Sequence, residues 1–154
     1  MDTINLAEII APENVAVRFP AAGRSAVLEK LVSLLPVEGE EIRREILSSV
    51  HAREKIQTTG IGYGIAIPHG KAEIEAKIHS AIVLTEEPVD YGSIDGTPVS
   101  IFILMVSRPD VTGPHVQALA SVARLLGHRQ FREDLLACET PEQVVGLLRG
   151  EGKG

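Results

Sequence analysis

The sequence predicts a three-layer α/β/α domain with a mixed central β-sheet flanked by helices. Three observations carry this reading. "VSIFILMV" (99–106) is a near-continuous apolar run, as a strand covered on both faces requires. Two amphipathic helical stretches precede it and two follow it. The 154 residues are 44% hydrophobic and 23% charged, enough to build one buried core without staples and too apolar for a disordered chain.

In chain order, "NVAVRF" (14–19) reads as a first strand. "AGRSAVLEKLVSLL" sets Val27, Leu28, Leu31, Val32 and Leu35 on one helical face, with Ser25 as its expected cap. "EGEEIRREILSSVHARE" repeats the pattern with Ile42, Ile46, Leu47 and Val50, and its acidic start suits a helix N-terminus. Strands follow at "GYGIAI" and "IHSAIVL", then at the apolar run, with an Asp95-Gly96 turn between the last two. "GPHVQALASVARLL" returns to helical spacing, with Val116, Leu119, Ala120, Ala123 and Leu126 on one side and Pro114 suited to its first turn. "EDLLACET" reads as helical, with Cys138 a small buried filler. "TPEQVVGLLRG" closes the fold with Thr140 as N-cap, Gln143 completing a capping box and Gly150 past the end. No repeat or linker divides the chain, so residues 1–150 are expected to form one domain with 151–154 a frayed tail.

Composition excludes several functions. A net charge of −6 argues against nucleic acid as a partner, because phosphate backbones select basic surfaces. The lone Cys138 supports neither an internal disulfide nor a zinc site, and no histidine pair has ligand spacing, so no metal or cofactor is expected. No apolar run reaches the roughly 18 residues of a membrane span, and "MDTINLAEIIAPEN" lacks the basic start of a signal peptide. A cytoplasmic location and no membrane insertion are the expectations.

The stretch "TTGIGYGIAIPHG" (58–70) concentrates the chemistry. Its glycines miss the dinucleotide spacing, which needs the third glycine at position 65, and no Lys-Ser/Thr completes a phosphate loop. As a strand, Ile61, Tyr63, Ile65 and Ile67 would form a bulky face and Gly60, Gly62, Gly64 and Ala66 a bare one. Pro68 should end the strand and leave His69 just beyond it. Two readings of His69 stand: a turn histidine without a function, or a group in an anion site. Arg53, Thr58 and Thr59 could help to hold a dianion there, while Lys71 reads as solvated. His115, following Gly113-Pro114, falls in a helix's first turn, where backbone N–H groups favour an anion. His51, His79 and His128 show no such setting.

From Glu54 to Gly70, "EKIQTTGIGYGIAIPHG" resembles the phosphohistidine signature of the fructose/mannitol-type enzyme IIA domains of the bacterial phosphoenolpyruvate-dependent phosphotransferase system. "LAEIIAPENV" resembles that family's opening, "RSAVLEKLVSLL" its first helix, and "HVQALASVARLL" the helix bearing its second active-site histidine. The resemblance implies that His69 accepts a phosphoryl group through Nε2, that His115 assists, and that Arg53 contacts the phosphoryl group. It includes Glu54 without fixing a role for it. Tyr63 stands where many members have asparagine, and Val116 where leucine is usual. The length of the chain resembles the nitrogen-regulatory branch. The implied donor is the histidine phosphocarrier protein or its nitrogen-branch counterpart, and the implied recipient a regulated protein. The alternative is a sugar-uptake component passing phosphate to a membrane-bound IIB. A module that only switches binding on phosphorylation is contained in the first reading.

Overall fold

The computed structural model describes residues 6–111 and 113–150, the side chains of 113–115 excepted. The tail at 151–154 and the side chain of His115 therefore lie outside the described residues. In chain order the elements are α1 (Leu6–Ile9), a 3-10 turn (Pro12–Asn14), β1 (Val15–Phe19), α2 (Arg24–Ser33), α3 (Glu40–Ile56), β2 (Gly60–Gly62), β3 (Ile65–Ala66), β4 (His69–Lys71), β5 (Ile78–Val89), β6 (Val99–Ser107), α4 (Gly113–Leu126), α5 (Arg129–Leu136) and α6 (Pro141–Leu148).

The apolar run forms β6, and its burial shows why it carries no alternation. Ile101, Ile103 and Met105 pack on one side with Ala118, Val122, Leu126, Leu135 and Val144 from the C-terminal helices. Phe102, Leu104 and Val106 pack on the other with Val27, Leu28, Leu31, Ile46 and Val50 from α2 and α3. Each residue from Ile101 to Val106 is needed by one core or the other, so all six are apolar. β5 pairs antiparallel with β6, and β1 pairs parallel with β5. Beyond β6 lie β3 and β4, both parallel to it, and β2 closes the sheet antiparallel to β3. The sheet is mixed and covered by helices on both faces, as the sequence predicts.

The glycine stretch departs from its expectation. It is not one strand but a hairpin, β2 and β3, with Gly62 opposite Ile65. Tyr63 and Gly64 between them have φ of 59° and 78°. Positive φ at both central residues is what a I′ turn requires, and it reverses the chain where a strand would continue. The two-faced pattern therefore fails: Ile61 and Tyr63 are exposed while Gly60 and Gly62 are buried. His69, expected past a strand end, instead opens β4 opposite Met105. Pro68 divides β3 from β4 while its carbonyl accepts from Met105 N–H at 3.0 Å.

Four smaller expectations also shift. In α4 the buried side is Ala118, Val122 and Leu126, while Val116, Ala120 and Ala123, expected to share a side with Leu126, are exposed. Helix α2 starts one residue before Ser25, with Gly23 at its cap, where φ of 149° suits only glycine. Cys138 lies just beyond α5 and is half-buried. At α6, Thr140 Oγ1 accepts from Gln143 N–H at 3.1 Å, but Gln143 reaches back to the N–H of Glu139, at 2.6 Å, and not to that of Thr140. Among the described residues no helix is long and apolar enough to cross a membrane.

Candidate active site

Helix α3 lies against β4 because Gly70 lets it. A Cβ at Gly70 would stand 2.9 Å from Ser49 Oγ and 3.1 Å from the backbone nitrogen of Val50. That approach lets Ser49 Oγ accept from Lys71 N–H at 2.8 Å. Strand and helix are thereby locked in register, with His69 at the start of one and Arg53 in the last turn of the other. Arg53 Nη1 donates to the Gln57 carbonyl at 2.7 Å, which satisfies an acceptor left over at the helix end.

The His69 ring is half-buried, and its Nδ1 lies 2.9 Å from the Ile67 carbonyl. A carbonyl only accepts, so Nδ1 carries the proton and the lone pair of the neutral ring is on Nε2. Burial holds the pKa below the ordinary imidazole value of 6.5. The Ile67 carbonyl opposes this, the Arg53 charge adds to it, and Glu54 opposes it more weakly. The outcome is a neutral ring with a defined tautomer.

A cleft of about 290 Å³ opens beside the ring. It brings together Arg53, Thr58, Thr59 and His69, and adds Gln57, Gly60, Ile61, Ile67 and Ile94, with Leu119 and Ala123 from α4. Thr58 Oγ1 accepts from Gly60 N–H at 3.1 Å, the local turn bond that a threonine there favours. Thr59 behaves differently. It is buried, and its hydroxyl donates to Glu54, which also accepts from its N–H at 3.2 Å. His115 belongs to the first turn of α4, one and two turns ahead of Leu119 and Ala123. His79 sits apart, among Pro36, Val37, Ile42 and Ile74.

The Asp95-Gly96 turn reaches this site. Ile94 N–H donates to the Gly60 carbonyl at 3.1 Å, and Asp95 Oδ2 accepts from Tyr63 N–H at 3.1 Å. Bonds from the N–H groups of Thr97 and Tyr63 pull the Asp95 pKa below its usual range. Tyr63 projects outward, 73% exposed, with the Arg132 guanidinium 4.9 Å from its ring centre.

Residues near His69 in sequence were within reach of a local reading. Ile94, Leu119 and Ala123 come from distant segments, and no local pattern ties them to His69.

Comparison with known proteins agrees with this fold. The sequence profile described as "Phosphoenolpyruvate-dependent sugar phosphotransferase system, EIIA 2" matches residues 8–150. A nitrogen regulatory protein of Pseudomonas aeruginosa is 31% identical over 146 residues, covering 94% of this chain and 95% of its own. A PTS system fructose-specific EIIA component of Haloferax volcanii is 31% identical over 150 residues, covering 96% and 97%. The crystal structure of the nitrogen regulatory protein IIA-Ntr from Neisseria meningitidis superposes with a TM-score of 0.84 at 27% identity, covering 93% of this chain and 98% of that one.

Proposed function

This chain belongs to the EIIA 2 family of the phosphoenolpyruvate-dependent sugar phosphotransferase system, and from that membership we propose that it carries a phosphoryl group on Nε2 of His69. The observation that carries the reading is the bond from Nδ1 to the Ile67 carbonyl, which sets the Nε2 lone pair of a neutral ring toward an incoming phosphorus. In the transfer, the N–P bond of the donor's phosphohistidine breaks as the N–P bond at Nε2 forms. The proton on Nδ1 stays in place. The ring gains positive character, which strengthens its bond to the Ile67 carbonyl.

Phosphoryl transfer depends on positioning and on neutralising charge at the equatorial oxygens. Arg53 supplies a guanidinium from the cleft wall, with donors beyond the one given to Gln57. Thr58 offers its hydroxyl proton. Thr59 contributes by shaping the wall, because its hydroxyl is given to Glu54. His115, in the first turn of α4, is assigned the assisting role on the strength of the family resemblance and its place before Leu119 and Ala123. The donor is a small cytoplasmic protein that itself carries a phosphohistidine. Ile56, Ile61, Tyr63, Ile94 and Val116 are exposed on the cleft walls or on the segments that build them, and such an apolar rim suits a protein partner.

The nitrogen-regulatory relatives favour a regulatory recipient, controlled by the phosphorylation state of this chain. The fructose-specific relative of equal identity supports a second reading, in which the phosphoryl group passes to a sugar-specific IIB. A reconstituted relay of phosphoenolpyruvate, general kinase and histidine phosphocarrier tests both. Wild-type protein should gain an acid-labile phosphate, Arg53→Ala should gain it at least tenfold more slowly, and His115→Ala should accept it but transfer it poorly. Failure of wild type to be labelled overturns the carrier reading. Rapid discharge on adding a IIB domain would favour the uptake branch.

A further inference from the structure

Behind the cleft lies a carboxylate with more donors than a surface glutamate attracts. Glu54 accepts from the Tyr91 hydroxyl at 2.8 Å, from the Thr59 hydroxyl, and from Thr59 N–H at 3.2 Å. Tyr91 is 1% exposed. Its ring meets Phe102 edge-on at 5.3 Å, and the Arg24 guanidinium lies 5.5 Å from its centre. A phenylalanine would fill that space equally well. The phenol oxygen is therefore not required for packing, and its partner is a carboxylate in the last turn of α3. Bonds to an ionised acceptor are the strong class, and three on one carboxylate fix its position.

The chain of contacts continues to the reactive ring. The Thr59 carbonyl accepts from Ile67 N–H at 3.0 Å, and the Ile67 carbonyl holds Nδ1 of His69 at 2.9 Å. We infer that Tyr91 and Glu54 are positioning residues for His69: the phenol fixes the carboxylate, the carboxylate fixes Thr59, and the Thr59–Ile67 link fixes the imidazole. The inference rests on His69 being the phosphoryl acceptor, and it gives the glutamate of the signature a role that the sequence leaves open. Neither residue touches the phosphoryl group. Burial pushes the Tyr91 hydroxyl well above its ordinary range, so it remains a donor throughout the pH range in which the protein works.

Tyr91→Phe deletes one oxygen and keeps the ring. With 15N-labelled histidine, the wild-type His69 spectrum should show one neutral tautomer, protonated at Nδ1. In Tyr91→Phe that signature should give way to a mixture of tautomers, and the maximal labelling rate should fall about tenfold with the KM for the phosphocarrier unchanged. Glu54→Gln keeps an acceptor oxygen and should stay within about threefold of wild type, while Glu54→Ala should fall at least as far as Tyr91→Phe. A wild-type tautomer pattern and rate in Tyr91→Phe, or equal losses in Glu54→Gln and Glu54→Ala, would overturn the inference. The tautomer readout needs no phosphate, so it decides this question even if His69 proves not to be the acceptor.

Discussion

Two neighbouring regions of one sheet are built on opposite terms. β5 and β6 run antiparallel from Ile78↔Ser107 to Val89↔Val99, and their side chains feed a core on each face. The segment from Gly60 to Lys71 holds three strands of two or three residues, broken by a positive-φ turn and by Pro68. The first region derives its order from apolar burial, which is non-directional and tolerant of rearrangement. The second derives it from single hydrogen bonds and close backbone approaches, each with one geometry. The ring proposed to carry the phosphoryl group, that of His69, sits in the second, paired to the first through Met105. A stiff sheet supplies the reference frame, and the irregular edge supplies exposure.

Substitutions in either region probe this contrast. The largest effect on stability is expected from Leu104→Ala in β6, at a fully buried position. It should cost about 3 kcal/mol in denaturant unfolding while leaving the labelling rate of the folded protein near wild type. Gly70→Ala should cost about 2 kcal/mol, because the added methyl meets Ser49 and the Val50 backbone. Unlike the core variant it should also slow labelling, since it displaces α3 and Arg53 from β4. If both variants lose stability and labelling in proportion, the division of labour between the regions fails.

Tyr63→Asn acts in the opposite direction. Asparagine tolerates the left-handed backbone that Tyr63 adopts at φ 59°. A net gain of about 0.5 kcal/mol is expected, after loss of the Arg132 contact over the ring. A loss of stability would mean that the ring contact outweighs the turn.

The smallest effect is the pH dependence. The folded His69 pKa lies below the ordinary value of 6.5. Above that value the ring is neutral in both folded and unfolded chains. As the pH falls through 6.5 the unfolded chain binds the proton first, so stability declines until the folded pKa is passed. His69→Asn should reduce that slope. Labelling of the wild type should persist below pH 6.5, because the neutral nucleophile persists there. His79 is lowered by burial as well, so the titration is best followed ring by ring.

The same contrast explains what the sequence revealed. "VSIFILMV" announced a doubly covered strand because its apolar residues, Val99 and Ile101 to Val106, are all needed by one core or the other. The hairpin at Gly60–Ala66 stayed hidden because alternate glycines imitate a strand period, and only the backbone signs at Tyr63 and Gly64 show the reversal. Arg53, Thr58, Thr59 and His69 were legible together because they fall within one short stretch. Thr59 still read as a phosphate contact, since nothing local shows that its hydroxyl is given to Glu54. Tyr91 reaches that carboxylate across 37 positions, a separation that no short-range pattern spans.

The proposed chemistry turns on the Ile67 carbonyl, which, by holding Nδ1, makes Nε2 of His69 the atom that receives the phosphoryl group. Heteronuclear NMR of 15N-histidine-labelled protein after phosphorylation by the relay reads the bonded nitrogen itself. Phosphorus coupling to Nε2 of His69, and to no other ring nitrogen, is the expected result. Coupling to Nδ1, or to a different histidine, would contradict it.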